Sequence, residues 1–171
     1  TKQFENYTVN DGLQSNEFNS GAYFKAKDGE MFFGGPSGIN SFYPSEVASN
    51  KIIPKVVLTG FRVSNKEVLF QENKMERITL KYGETPIKFD FAALSFNQSL
   101  KNKYSIKVEN YDDSWIDLGN HTSYTLSKLP PGNYIFKVKG SNSDGYWNDE
   151  AAVLNFTVLP PFWRTVWFYI L

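Results

Sequence analysis

The sequence predicts an all-β protein whose larger part is a sandwich of two antiparallel sheets. Apolar side chains stand at every second position of residues 104–108 and 134–138. This period of two directs one face of each strand into a core and the other toward water. Aromatic residues make up 17% of the chain and suit pleated, half-buried surfaces. Because no window shows a convincing helical period, we expect almost no helix.

The stretch between these two strands specifies the kind of sandwich. Trp115 is interpreted as a tryptophan of the core. The run of Leu129, Pro130, Gly132 and Tyr134 indicates a tyrosine corner, in which a buried tyrosine hydroxyl bonds to backbone where the chain crosses between sheets. Together these features are typical of an immunoglobulin-like β-sandwich.

The remaining strands come in order at the spacing of a sandwich, about seven in all. The first has Gly60 as a predicted bulge or bend. The strand that begins at Ile87 alternates, and its phase is expected to slip at Ala92–Ala93 and to resume with Leu94 and Phe96. The predicted strands are 56–63, 78–80, 87–91 and 153–159, with a turn at 65–67 and a polar loop at 72–77. In the last of these strands, Leu154, Phe156 and Val158 are expected to face inward.

Residues 1–48 have a different texture, with short apolar runs between frequent turn signals. Asp28–Gly29 between two such runs predicts a hairpin. The glycine-rich segment 34–38 lacks the Lys-Ser/Thr of a phosphate-binding loop, so a turn between strands is the better interpretation. A few short strands cannot bury both faces alone. This segment must therefore pack on the sandwich, on a second copy or on a missing neighbour.

The totals argue against several functional classes. Basic and acidic residues number 18 each, so the neutral chain lacks the electrostatic footprint of a nucleic-acid binder. Cysteine is absent, which excludes disulfides, thiol nucleophiles and cysteine-bound zinc. The single histidine, His121, is interpreted as an exposed turn residue. Asp112, Asp113 and Asp117 are interpreted as solvated turn carboxylates rather than calcium ligands. We expect no catalytic residue, cofactor or metal in this chain.

Two further stretches leave alternatives open. Tyr146 and Trp147 come after a strand end, where exposed rings stack on sugars in carbohydrate-binding sandwiches. The preferred interpretation is that Trp147 folds back over the open end of the core. Residues 165–171 carry no charge but are too few to cross a bilayer, which needs about 20 apolar residues. They are either a last strand or clip of the sandwich or the first turns of a membrane helix.

Three stretches in order resemble one family. Residues 104–147 resemble the triple-tyrosine (Y_Y_Y) domain, a sandwich of fibronectin type III kind. Residues 9–44 resemble the last repeat of the two-component-regulator β-propeller that precedes this domain. Residues 160–168 resemble the junction that leads into the membrane helix of these receptors. The positions that carry the Y_Y_Y resemblance are Tyr104, Trp115, Tyr124, Leu129, Pro130, Gly132, Tyr134, Gly145 and Trp147.

The resemblance implies the periplasmic, membrane-proximal part of a bacterial sensor histidine kinase, as in hybrid two-component systems of Bacteroidetes. It implies a propeller repeat at 1–48, a Y_Y_Y sandwich at 49–159 and a junction to an inner-membrane helix at 160–171, with Pro160, Pro161 and Trp163 coupling the two. It also implies a homodimer, with a glycan ligand bound mainly outside this chain. The main alternative is a carbohydrate-binding or adhesion sandwich of a secreted protein. An accessory domain of a polysaccharide-degrading enzyme rests on fold analogy alone.

Overall fold

The computed structural model describes residues 6–47, 49–68, 78–95 and 98–164. Contacts within the chain define two compact units, residues 1–50 and residues 51–171. Helical structure in the described residues is limited to single 3₁₀ turns at Val9–Asp11, Ser99–Lys101 and Phe162–Arg164. No helix among these residues is long and apolar enough to span a membrane. The expectation of an all-β protein is confirmed.

The first unit is a three-stranded antiparallel meander. Its strands are β1 (Tyr23–Lys25), β2 (Met31–Gly35) and β3 (Gly38–Phe42). The predicted hairpin is confirmed, with Gly29 in the left-handed region at φ 98°. The glycine-rich segment is a turn between β2 and β3, as expected.

Both faces of this meander carry apolar side chains. On one face, the ring of Phe33 stacks on Phe42 with centroids 5.8 Å apart, and Phe18 approaches it edge-on at 6.0 Å. On the other face, Phe24 and Ile39 are 65% and 72% exposed. No described residue of this unit is fully buried. In its described part the meander therefore has no core of its own, which is what the short strands predicted.

The second unit is a sandwich of two sheets. The four-stranded sheet has β10 (Ser123–Leu126), β7 (Ile87–Ala93), β4 (Val56–Val63) and β5 (Lys66–Glu67) in spatial order. The five-stranded sheet has β6 (Ile78–Leu80), β12 (Ala152–Val158), β11 (Gly132–Ser141), β8 (Lys103–Glu109) and β9 (Ile116–Gly119). Among the described strands of the sandwich, all pairs are antiparallel except β6 with β12, which is parallel.

Phenylalanine rings fill the space between these sheets. Phe89 of β7 stacks on Phe136 of β11 with centroids 3.9 Å apart and planes within 3°. Phe61 and Phe156 complete the cluster, each 1% exposed. Burying one such side chain stabilises a fold by about 1.5–3 kcal/mol. The predicted inward set of β8, β11 and β12 is confirmed, because its members are all among the buried residues.

The expected phase slip in β7 is wrong. The strand continues without interruption to Ala93, which is buried, whereas Leu94 is 46% exposed. The Ala93 N–H donates to the Tyr104 hydroxyl at 3.0 Å, a bond that holds this end of β7 in phase. Phe96, on which the predicted phase depended, lies outside the described residues, as does the predicted loop 72–77.

The bulge predicted in β4 is confirmed, since its register with β7 shifts between Leu58 and Gly60. A Cβ at Gly60 would lie 3.0 Å from a carboxylate oxygen of Asp90, so a larger residue at the bulge would press on that side chain. The turn predicted at 65–67 lies one residue earlier, at Ser64 and Asn65, both with positive φ. The strands β5, β9 and β10 raise the number above the expected seven because they are too short to show clear alternation.

Candidate functional site

The tyrosine corner forms as predicted. The Tyr134 hydroxyl donates to the Pro130 carbonyl oxygen at 2.8 Å, four residues upstream. Burial raises the pKa of this hydroxyl, with a further contribution from Tyr111. A Cβ at Gly132 would lie 3.3 Å from the same hydroxyl, so glycine leaves room for the bond. Leu129 is buried in the core beside the corner.

The other two signature tyrosines also contact the core of the sandwich. Tyr104 extends from the five-stranded sheet, and its hydroxyl accepts the Ala93 N–H of the four-stranded sheet. Tyr124 lies on β10, half-buried against the core. Burial raises the pKa of Tyr124, and the Asp112 carboxylate raises it further. All three signature tyrosines are therefore parts of the scaffold.

The prediction that Trp115 belongs to the core is wrong. Trp115 is 39% exposed, and the Lys139 ammonium lies 4.6 Å from its ring centroid. The volume between the sheets is already occupied by phenylalanines from other strands. The preceding turn is fixed by Asp112, whose carboxylate accepts the Val108 N–H at 2.8 Å. This turn delivers Trp115 to the outer side of the five-stranded sheet.

Trp147 lies on the same outer side. Its backbone pairs with Ser141, and the Lys139 ammonium is 5.7 Å from its ring centroid. The preferred interpretation, in which Trp147 covers the open end of the core, is therefore wrong, because the ring is half-buried beside an outward-facing lysine. The loop bends at Gly145, whose φ is 83°.

A buried asparagine holds this loop. Asn142 is 0% exposed, and its side-chain oxygen accepts the N–H groups of Asp144 and Tyr146 at 3.0 and 2.9 Å. Its amide nitrogen donates to the Ile52 carbonyl at 3.0 Å. Sequence reasoning assigned no role to Asn142 or Lys139. Asn142 comes three residues before Gly145 and five before Trp147, two of the signature positions, whereas nothing in the sequence signalled Lys139.

A groove lies beside the tyrosine corner, where the last strand leaves the sandwich. Its volume is about 790 Å³. Pro160 is exposed and Pro161 is buried, and Trp163 meets Tyr82 edge-on at 5.7 Å. The Leu159 N–H donates to the Leu80 carbonyl at 2.8 Å, so the chain is tied to β6 up to the first proline. The groove is lined by Tyr82, Tyr111, Leu129, Pro130, Pro161 and Trp163, among others. Residues 165–171 lie outside the described part of the chain.

The residues with catalytic or metal-binding potential serve the turns. His121 is exposed, and its backbone N–H donates to Leu118. Asp117 accepts the Gly119 N–H at 2.8 Å, as Asp112 does for Val108. Within the described residues, no three metal-ligating side chains come together. The sandwich is therefore a scaffold with two surface features that could bind a partner, the groove and the pair of Trp115 and Trp147.

Comparison with known proteins identifies the sandwich. Residues 95–159 match the Y_Y_Y domain family. This segment is a Y_Y_Y domain. The chain is also 32% identical over 181 aligned residues to "Histidine kinase P4" of Formosa agariphila; the alignment covers all of this chain and 13% of that protein. The resemblance to two-component sensors is thus confirmed.

Solved structures extend the similarity beyond the Y_Y_Y domain. One is the extracellular domain assigned to the hybrid two-component system BT3049 of B. thetaiotaomicron, with a TM-score of 0.76 and 21% identity over 90% of this chain and 22% of that one. Another, assigned to the hybrid two-component system BT4673 of the same species, gives a TM-score of 0.56 and 25% identity over 80% of this chain and 19% of that one. The chain thus spans 13% of the histidine kinase and about a fifth of each solved structure, and the solved structures are extracellular domains of two-component systems.

Proposed function

We propose that this chain is a non-catalytic, extracytoplasmic module of a sensor histidine kinase. It transmits the binding of a glycan ligand from a β-propeller to a membrane helix through a change of dimer geometry. Residues 1–48 are then the last propeller repeat, 49–159 the Y_Y_Y sandwich, and 160–171 the junction to the helix in the bacterial inner membrane, with the module in the periplasm. The supporting observation is the alignment of the whole chain with one part of a much longer histidine kinase.

The exposed faces of the first unit support its assignment to a larger assembly. The meander exposes Phe24 and Ile39 on one face and carries an apolar cluster around Phe33 on the other. Propeller blades pack face to face, so a blade isolated from its neighbours leaves such faces open. The groups that bind the ligand belong mainly to the blades that lie outside this chain.

Transmission requires two arrangements whose populations a ligand shifts. A stiff sandwich converts a change at one end into a displacement at the other with little loss. Leu159 is tied to β6, and the two prolines come immediately after it with fixed φ. The joint between the sandwich and the next segment therefore has little slack.

Replacement of both Pro160 and Pro161 by glycine in the full receptor tests the transmission. We expect ligand to bind normally but to lose its effect on kinase autophosphorylation, because glycine restores backbone freedom at the joint. Pro36→Gly, in the exposed turn between β2 and β3, is the control and should signal normally. Normal ligand-dependent phosphorylation in the double variant would contradict the proposed coupling.

Sedimentation equilibrium of this chain over a wide concentration range tests the homodimer. A concentration-dependent dimer is expected if the sandwich takes part in pairing. A strict monomer would place the pairing in other parts of the receptor and leave the sandwich as a spacer.

A second candidate function is that of a carbohydrate-binding or adhesion sandwich of a secreted protein. The observation that favours it is the pair of partly exposed rings, Trp115 and Trp147, on one side of the sandwich. A receptor module continues after residue 171 into a membrane helix, whereas a secreted module does not. Membrane fractionation of the full-length protein separates them, since a secreted protein is recovered in the soluble fraction.

A further inference from the structure

The outer face of the five-stranded sheet concentrates positive charge. The side chains that alternate with core residues on β8 and β11 include Lys103, Lys107, Lys137 and Lys139. The register places Lys107 directly opposite Lys137, and like charges in that position destabilise a sheet. The chain as a whole has no net charge, so this is a local excess.

Carboxylates on this face neutralise only part of that charge. Glu109 forms an ion pair with Lys137. Asp117 accepts a backbone N–H within its own turn. Lys107 donates to the Asp113 carbonyl oxygen at 3.1 Å. Among the described residues, Lys139 has no carboxylate partner, and its ammonium lies over two indole rings instead.

The backbone segments that carry the two rings beside Lys139 are fixed by hydrogen bonds within the chain. Trp115 comes directly after the turn that Asp112 fixes, and Trp147 ends the loop that Asn142 fixes. The Lys139 ammonium lies 4.6 Å from the Trp115 ring centroid and 5.7 Å from that of Trp147, and attraction to the faces of the two rings favours this position. Rings and charges ordered in advance reduce the entropy lost on binding.

The positive charge of this face indicates which kinds of molecule could bind there. In a symmetric dimer an isologous interface brings this face against an identical copy, so two faces with excess positive charge would meet, and like charges across an interface oppose association. A nucleic acid would neutralise the charge, but the two solved structures that this chain resembles are extracellular domains. Sugars that carry carboxylate or sulfate groups provide both an apolar ring face for an indole and an anion for an ammonium.

We infer that the outer face around Trp115, Lys139 and Trp147 is a binding site for an acidic saccharide. A sugar ring packs on the exposed part of an indole while its carboxylate or sulfate accepts a hydrogen bond from the Lys139 ammonium. The inference rests on the extracytoplasmic position proposed above but not on transmission. A receptor that fails to signal can still bind at this face, and a chain that fails to bind here can still couple propeller to membrane.

The test is calorimetric titration of the 171-residue chain with three tetrasaccharides: a tetragalacturonate, a chondroitin sulfate tetrasaccharide and neutral cellotetraose. We expect an acidic probe to bind and the neutral one to bind at least about tenfold more weakly. Lys139→Gln should weaken binding of the acidic probe about tenfold, because one charge-assisted hydrogen bond is lost. Lys66→Gln, which removes an exposed lysine from the opposite sheet, is the matched control and should bind normally.

Two readouts locate the site. In NMR spectra, the indole N–H signals of Trp115 and Trp147 should shift on titration, while that of Trp163 should not. Trp115→Ala should reduce affinity, and thermal unfolding shows whether each variant is folded. A Trp115→Phe variant keeps an aromatic face and should recover part of the loss.

Three outcomes would overturn the inference. The first is that neither acidic probe binds to the folded chain. The second is equal weakening by Lys139→Gln and Lys66→Gln, which would indicate diffuse attraction to lysines. The third is a single-stranded oligonucleotide that binds as tightly as the acidic probes and shifts the same indole signals, since the site would then read charge alone.

Discussion

The two units of this chain are both built of antiparallel strands, yet they differ in what holds them together. The described part of the sandwich has a buried core of 20 apolar side chains, whereas none of the described residues of the meander is fully buried. Hydrophobic burial is the main favourable term in folding, so similar strands and turns should differ widely in stability. The comparison teaches that strand pairing shapes a sheet, and a second apolar layer stabilises it.

The largest expected difference is between two stacked phenylalanines. Phe136→Ala removes a fully buried ring that stacks on Phe89, and we expect it to lower the free energy of unfolding by about 3–5 kcal/mol. Phe33→Ala removes a ring that stacks on Phe42 in the meander but is only half-buried. It should cost the meander clearly less. Urea denaturation measures the first, and amide hydrogen exchange of β2 measures the second. Equal losses would break the comparison.

A matched pair of asparagines makes the comparison between the sandwich and the meander sharper. Asn142 in the sandwich and Asn40 in the meander each hold a loop by hydrogen bonds to backbone groups. Asn142→Ala leaves buried backbone groups without hydrogen-bond partners. It should lower the free energy of unfolding by about 2–3 kcal/mol, because each unsatisfied buried group costs about 1–3 kcal/mol. Asn40→Ala should cost less, since water reaches the groups that it exposes. Denaturation and hydrogen exchange check the two values, and a larger loss for Asn40→Ala would contradict the role assigned to burial.

Alkaline titration separates two ways of raising a tyrosine pKa. In the meander, the hydrogen bond from Tyr43 to Asp28 and then the charge of that carboxylate raise the pKa of Tyr43. In the sandwich, burial raises the pKa values of Tyr124 and Tyr134. Salt screens charges near the surface but changes burial little. We therefore expect added salt to lower the pKa of Tyr43 more than that of Tyr134, as read from tyrosinate absorbance of Tyr43→Phe and Tyr134→Phe variants.

The sign of the stability change comes from the same shifts. The folded-state pKa of Tyr134 lies above the unfolded value of about 10, so the unfolded chain loses its proton first as the pH rises. The contribution of Tyr134 is fully present below about pH 10 and is lost as the pH passes through its folded pKa. Tyr134→Phe should lessen the alkaline fall in stability of the sandwich. An unchanged fall would mean that other groups cause it.

The smallest expected effect is one in which the two units should agree. Gly29 in the meander and Gly145 in the sandwich both have positive φ, and a Cβ at either would meet no atom within 4 Å. Alanine at each position costs backbone strain alone, about 1 kcal/mol. Local hydrogen exchange around each turn measures the cost. A much larger loss at Gly145 would show that the Asn142 loop depends on more than the conformation of its backbone.

Local patterns predicted much of this molecule. Alternation placed the inward residues of β8, β11 and β12, and turn chemistry placed the Asp28–Gly29 hairpin and the tyrosine corner. These features depend on neighbours in the sequence. The prediction for β7 at Ala93 failed because the phase of the strand there is set by the hydrogen bond between the Ala93 N–H and the Tyr104 hydroxyl of the opposite sheet. The resemblance carried by the signature residues of the Y_Y_Y domain was confirmed, whereas the propeller assignment of residues 1–48 and the roles of Pro160, Pro161 and Trp163 stay predictions.

The sequence by itself determined the class of fold and the inward residues of β8, β11 and β12, because periodicity and turn residues act over a few positions. Only the tertiary structure decided where Trp115 and Trp147 lie. Rings from Phe61, Phe89 and Phe136 already fill the volume between the sheets, and a close-packed interior has no room for another large side chain. The two tryptophans therefore lie outside, both within 6 Å of the Lys139 ammonium, a proximity that only the pairing of strands distant in sequence produces.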